Sequence, residues 1–356
     1  MRMSHPSSFQ TDKKRLYEIS VIRLIVILSL VVNHSFVKIA NGGLRSNEYR
    51  LPDFYRWLNY YNFEMTLELF VLISGFLFAF QTITLQRNYS LKLYIQKKAH
   101  RLLLPMIVYG IVYYFCFYFN PESFTFTGFI LELLGGCGHL WFLPMLFWCL
   151  ILIWFLVRFH VNEKIILACL AIISVIKYLP LPLGFARVSH YLFYAYFGFY
   201  LYKQKGWVID CFTKNKWLIP CLWVSYVIFV WLGHSSGVTS TTADSLLFKG
   251  LVIAREGTLE LLACISGILA LFGTIYHFTQ SRSFRPSPWI QKADKMSFGM
   301  YIYHQFILVA LYHYTHVVEY INAWLLPWIG FIIAIAFSVL LTSLTLRTKW
   351  GRFLIG

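Results

Sequence analysis

Two histidines and two arginines stand in or beside apolar runs where ionisable groups are costly. In 20-SVIRLIVILSLVVNHSF-36, Arg23 and His34 lie eleven residues apart in an otherwise apolar stretch. Eleven residues make three helical turns plus about 20°, with about 16 Å of rise, so both side chains project from one face. A neutral imidazole at depth can take the proton of an attacking hydroxyl, or form a covalent intermediate. A guanidinium at a membrane boundary can fork onto phosphate. Each residue also has a plainer reading. Arg23 can snorkel to the interface, and His34 can hydrogen-bond a neighbouring helix. Their placement on one face favours a polar cavity.

Further candidates follow along the chain. Glu64 and Glu68 share a face one turn apart; Glu68 is the deeper and needs a partner, for which Arg23 and His34 are the candidates. A structural counter-ion is favoured there over a catalytic acid. The stretch 86-QRNYSLKLYIQKKAHRLLLP-105 carries five cations, and Arg101 meets apolar residues and a proline at once, which puts it at the membrane surface. His304, in 297-SFGMYIYHQFIL-308, is a second buried histidine, with Ser297 two turns earlier on a similar face. Interhelical hydrogen bonding is an equal alternative for His304. His139, ahead of Trp141, opens an apolar run and is expected at the outer interface.

The elements that must position these residues are membrane helices. Of 356 residues, 58% are hydrophobic and 13% are charged, too few charges to cover a water-soluble surface. Apolar runs long enough to span a bilayer lie near 19–39, 63–85, 102–119, 139–159, 164–179, 187–203, 217–234, 257–278, 298–316 and 324–346. The expected fold is therefore all-α, a polytopic membrane protein with about ten transmembrane helices. No repeat or linker divides it, so residues 1–356 read as a single domain, with 1–18 and 347–356 as tails. The first 18 residues lack the apolar segment of a cleavable signal, so the first span is expected to stay in the mature protein.

With the N-terminus inside, the cytoplasmic segments hold 22 Lys/Arg and the outer loops 8. That bias places both termini in the cytoplasm. The net charge of +16 lies in short clusters, without a basic helix or an RNA-binding aromatic motif, so no nucleic-acid partner is expected. The seven cysteines are scattered without a metal-type spacing, and no metal is expected.

Several segments, in order, resemble the acyltransferase 3 family of bacterial membrane proteins. They are the Arg23-to-His34 pattern, 69-LFVLISGFLF-78, the basic stretch running into 101-RLLLP-105, 140-LWFLPML-146 and 297-SFGMYIYHQ-305. The sequence departs from the family pattern at Ser20, where an acidic residue is common, at Leu24, where a small one is, and at Glu68, where the family is apolar. The resemblance implies an O-acyltransferase of the bacterial cytoplasmic (inner) membrane. It would move an acyl group, often acetyl, from cytoplasmic acyl-CoA to a hydroxyl of a cell-surface carbohydrate. His34 is then the general base, Arg23 joins it among the catalytic residues, and Arg23 and Arg101 hold the donor's phosphates or orient its thioester end. Acyl-CoA is a substrate, with no permanently bound cofactor. Besides donor and carbohydrate acceptor, the expected partners are membrane lipids. No hydrolase-like domain follows the last span, so the membrane domain is expected to act alone. Two other classes compete: a sugar transporter or flippase using the same charges as a pathway, and a non-catalytic part of an envelope synthesis complex.

The charge bias makes a direct topological prediction. In intact cells, Asn88→Cys should resist a membrane-impermeant thiol reagent and Gly237→Cys should react. The reverse pattern overturns the orientation.

Overall fold

A computed structural model describes residues 16–40, 52–159, 161–175, 185–235, 246–280 and 287–355. Parts of both tails, the end of the fifth expected span and the Gly237 site lie outside them. Among the described residues the chain is helical, with no strand. The helices are α1 (Tyr17–Ala40), α2 (Asp53–Phe63), α3 (Thr66–Ala79), α4 (Leu91–Lys98), α5 (Leu104–Phe117), α6 (Phe126–Gly135), α7 (Phe142–Leu156) and α8 (Glu163–Val175). They continue as α9 (Phe185–Lys203), α10 (Lys205–Lys214), α11 (Leu218–Ser235), α12 (Leu246–Gln280), α13 (Pro288–Tyr314), α14 (Val317–Tyr320), α15 (Leu326–Arg347) and α16 (Lys349–Ile355).

Seven helical segments are long and apolar enough to cross a membrane. They match seven of the ten expected spans. The other three fall on α8, α9 and α13. The described part of α8 has only 13 residues, while α9 and α13 are rich in tyrosine and also carry histidine. A helix surrounded by protein tolerates such residues better than one facing lipid. Accordingly α9 packs against α3, α7 and α8, and α13 against α1 and α15. By contrast, α11 and α15 turn Trp231, Ile332 and Phe337 outward, as lipid-facing helices do.

Close backbone approach sets the α3–α9 pair. A Cβ on Gly75 would overlap the carbonyl oxygen of Ala195, and one on Gly198 would overlap that of Leu72. Small residues allow this contact, which gains dispersion energy where lipid offers no hydrophobic drive. In 69-LFVLISGFLF-78, Gly75 is thus a packing device, while Ser74 Oγ donates to its own helix at Phe70 O.

Two local distortions matter for the site. Pro105 has no N–H and its ring crowds the carbonyl of Arg101, four residues back. The helix widens there into a π turn over Ala99–Leu103, which carries Arg101. Before α7, Gly136 (φ +82°) and Gly138 (φ +58°) occupy the left-handed region that favours glycine. They turn the chain tightly into a 3₁₀ turn at Gly138–Trp141, which carries His139 inward.

The α3–α9 contact predicts an asymmetric response to alanine. Gly75→Ala or Gly198→Ala should cost about 1–3 kcal/mol by overpacking, seen as lower melting temperature and yield in detergent. Gly206→Ala, whose Cβ meets nothing within 4 Å, should leave both unchanged or slightly higher.

Candidate functional site

Helices α1 and α13 run in parallel and are joined at two levels. At one end, Arg23 Nη1 donates to Asp294 Oδ1 at 2.7 Å, and Ser20 Oγ donates to Asp294 Oδ2 at 2.9 Å. Asp294 thus supplies, from α13, a carboxylate that holds both Ser20 and Arg23. At the other level, His34 Nδ1 and His304 Nε2 lie 2.7 Å apart, with the rings only 3° from parallel. From Arg23 to His34 is eleven residues and from Asp294 to His304 is ten. The rises are about 16 and about 15 Å, so the two joins are mutually consistent.

The proton positions in the histidine pair follow from one carbonyl. His304 Nδ1 lies 3.1 Å from Met300 O. A carbonyl oxygen only accepts, so His304 carries its hydrogen on Nδ1. Its neutral ring then offers a lone pair at Nε2, which accepts from His34 Nδ1–H. Neutral His34 is left with the lone pair on Nε2. That is the tautomer needed to take a proton from a substrate.

His34 lines a cavity of about 450 Å³ together with Asn33, Asn59, Tyr60, Glu64, His139 and His234. Its polar rim is organised: Asn33 Nδ2 donates to Asn59 Oδ1 at 3.0 Å, and His234 Nε2 pairs with Glu64 Oε2 at 2.9 Å. A second cavity, of about 750 Å³, lies towards the other end. Arg23, Lys98, Arg101, Lys295 and Arg352 line it against one carboxylate, that of Asp294. Leu77, Phe78, Leu143, Leu146 and Leu150 are among its apolar walls. A smaller basic hollow of about 330 Å³, with Arg87, Lys97 and His100, shares Lys98 and Arg101 with it. Phe142 and Tyr301 line both the basic cavity and the histidine cavity, so they form the partition between them.

The sequence expectations fare unevenly. Arg23 and Arg101 share one cavity and His34 meets His304, as their faces allowed. Ser297 Oγ instead donates to Asp294 O at 2.7 Å and lines the basic cavity, away from His304. Glu68 meets neither Arg23 nor His34. It shares the α3 face of Leu72 and Gly75, four and seven residues on, which α9 covers, and so it meets His190 Nε2 at 3.3 Å. His139 is not an interface residue: it is 5% exposed, and its Nε2 donates to Ile302 O at 3.0 Å. The glycine turn drives it inward, and Tyr301 Oη clamps its carbonyl at 2.8 Å. Sequence reasoning missed Asp294. Its signal was an acid between Lys292 and Lys295, ten residues before His304.

The Arg23–Asp294 join is partly exposed, at 27% and 17% of the two side chains. Arg23→Gln and Asp294→Asn should each destabilise the protein. Combined, they should cost less than their sum by on the order of 1 kcal/mol, read from unfolding in SDS. Strict additivity contradicts the pairing.

Comparison with curated proteins and with solved structures returns no match. A family model described as an acyltransferase domain does match, over residues 16–347. That range contains both joins between α1 and α13 and, Arg352 and Ile355 apart, the residues that line the two cavities. The chain therefore belongs to the acyltransferase 3 family and is a membrane acyltransferase.

Proposed function

We propose that this protein is an O-acyltransferase that moves an acyl group, most simply acetyl, from cytoplasmic acyl-CoA to a carbohydrate hydroxyl, with His34 as general base. The observation that carries the reading is the 2.7 Å contact of His34 Nδ1 with His304 Nε2, backed by Met300 O behind His304. Met300 O orients His304, His304 orients His34, and the lone pair of a neutral His34 then falls on Nε2. This is the base-and-orienter arrangement of general-base catalysis, with histidine in the orienting place.

The donor enters at the basic end. Acyl-CoA is polyanionic, and the positive-inside bias puts the Arg101 cavity on the cytoplasmic side. Arg101, Lys98 and the adjoining hollow hold its phosphates, and the apolar walls receive the pantetheine arm and acyl group. Arg23 has one nitrogen committed to Asp294, and its remaining donors turn to the ligand. The thioester passes between Phe142 and Tyr301 towards His34. The acceptor enters the histidine cavity from the opposite side, where Asn33, Asn59 and Glu64 can bond its other hydroxyls.

The step balances without another reactant. The acceptor oxygen attacks the thioester carbonyl as His34 Nε2 takes its proton. The imidazolium keeps its Nδ1–H on His304 Nε2, which shares the new charge. Collapse of the tetrahedral intermediate breaks the C–S bond, and the CoA thiolate leaves with the proton from His34. The products are an O-acyl ester and CoA thiol.

The test separates binding from turnover. His34→Ala should keep affinity for a non-hydrolysable acyl-CoA analogue while acyl transfer to surface glycans, followed by mass spectrometry, falls by about 10²–10⁴-fold. Arg101→Lys should show the opposite split, with affinity weakened by roughly 10- to 150-fold through loss of a charge-assisted bond and saturated turnover largely kept. Near wild-type turnover in His34→Ala refutes the base assignment.

A further inference from the structure

A second cluster of ionisable groups lies apart from the two cavities, where α3, α8, α9 and α12 meet. Glu68, His190 and Glu260 bring one ligand atom each to within 4.8 Å of one another. His190 Nε2 stands 3.3 Å from Glu68 Oε1 and 3.7 Å from Glu260 Oε1. The side chains are 4%, 7% and 20% exposed for His190, Glu68 and Glu260. No Lys or Arg pairs with Glu68 among the described residues.

The other face of His190 fixes what its Nε2 offers. Its Nδ1 lies 3.1 Å from Ser174 Oγ and 3.3 Å from Ser174 O. With the Nδ1 hydrogen directed at that carbonyl, Nε2 turns a lone pair on two carboxylates. That arrangement repels itself unless a positive charge sits between them. A proton or a divalent cation can supply that charge.

The separations leave room for the cation. A charge-assisted N–H to carboxylate bond is about 2.7–2.9 Å, as at Lys205–Glu18, 2.8 Å. At His190 the separations are 3.3 and 3.7 Å, close to the edges of a tetrahedron, about 3.3–3.6 Å for metal bonds of about 2.0–2.2 Å. The Nδ1–H to carbonyl bond is the usual second support of a metal-bound histidine.

We propose that Glu68, His190 and Glu260 bind one divalent transition-metal ion, Zn²⁺ by the chemistry of the donors, as a structural clamp joining α3, α9 and α12. No local spacing marks the trio, because its ligands come from three distant helices. The clamp holds the wall of the histidine cavity, since Glu64 lies one turn from Glu68. Nothing in it depends on the acyl-transfer reading.

The test uses full-length protein purified in detergent without a polyhistidine tag. Elemental mass spectrometry should find about one zinc per chain in the wild type, and Glu68→Gln and His190→Ala should reduce it at least fivefold. Glu64→Gln should keep it. Removing metal from the wild type with dipicolinate should lower the melting temperature by several degrees, and added ZnCl₂ should restore it. Cobalt refilling should give the visible absorption of a tetrahedral site, so the wild type alone can decide if the variants fail to fold. A wild type without metal above the Glu68→Gln level, with a melting temperature indifferent to chelator and zinc, overturns the proposal in favour of a protonated His190 between the carboxylates.

Discussion

The register of α1 against α13 is the constraint on which the rest of the site depends. Two joins, Arg23 with Asp294 and His34 with His304, cross the same helix pair about three turns apart. Sliding one helix past the other by a single turn, 5.4 Å, breaks both at once. It parts a carboxylate from a guanidinium in a site that is only partly exposed. The pairing is therefore selective as well as attractive. It also sets the distance from the basic cavity to the histidine cavity, because each join lines one of the two.

Helix α13 does most of the orienting. Its Met300 carbonyl fixes the hydrogen of His304, its Ile302 carbonyl holds His139, and its Tyr301 both clamps the His139 carbonyl and partitions the cavities. Backbone carbonyls are good orienters in this setting because they do not titrate and cannot rotate away. The cost is a helix too polar to face lipid. It is accordingly packed against α1 and α15, with Gly299 drawn close to Thr342.

What the sequence made legible follows the range of the interactions. Arg23, His34, Arg101 and His304 were found because intramembrane charge is conspicuous within one helix, and the α1 spacing needs only the helical repeat. The histidine pair itself was not legible, since it joins residues 270 apart in the chain. Glu68 shows the same limit. Its need for a partner was evident, but the partner depends on which face of α3 meets α9, and Gly75 and Gly198 decide that. His139 was misplaced because a glycine turn reads as a loop at the surface until its φ angles show it folding inward. The helices outside the seven, α8, α9 and α13, were legible as well, although α8 is short in the described residues and α9 and α13 are rich in tyrosine.

The central claim is that His34 holds its hydrogen on Nδ1 and keeps Nε2 as the receiving nitrogen. Nitrogen-15 NMR of ring-labelled histidine in lipid nanodiscs reads this directly, with His34→Gln used to assign its signals. The account predicts a neutral His34 protonated at Nδ1, with a coupling across the N–H···N bond to His304 Nε2 that vanishes in His304→Ala. A His34 protonated at Nε2, or one whose signals are indifferent to His304, contradicts it.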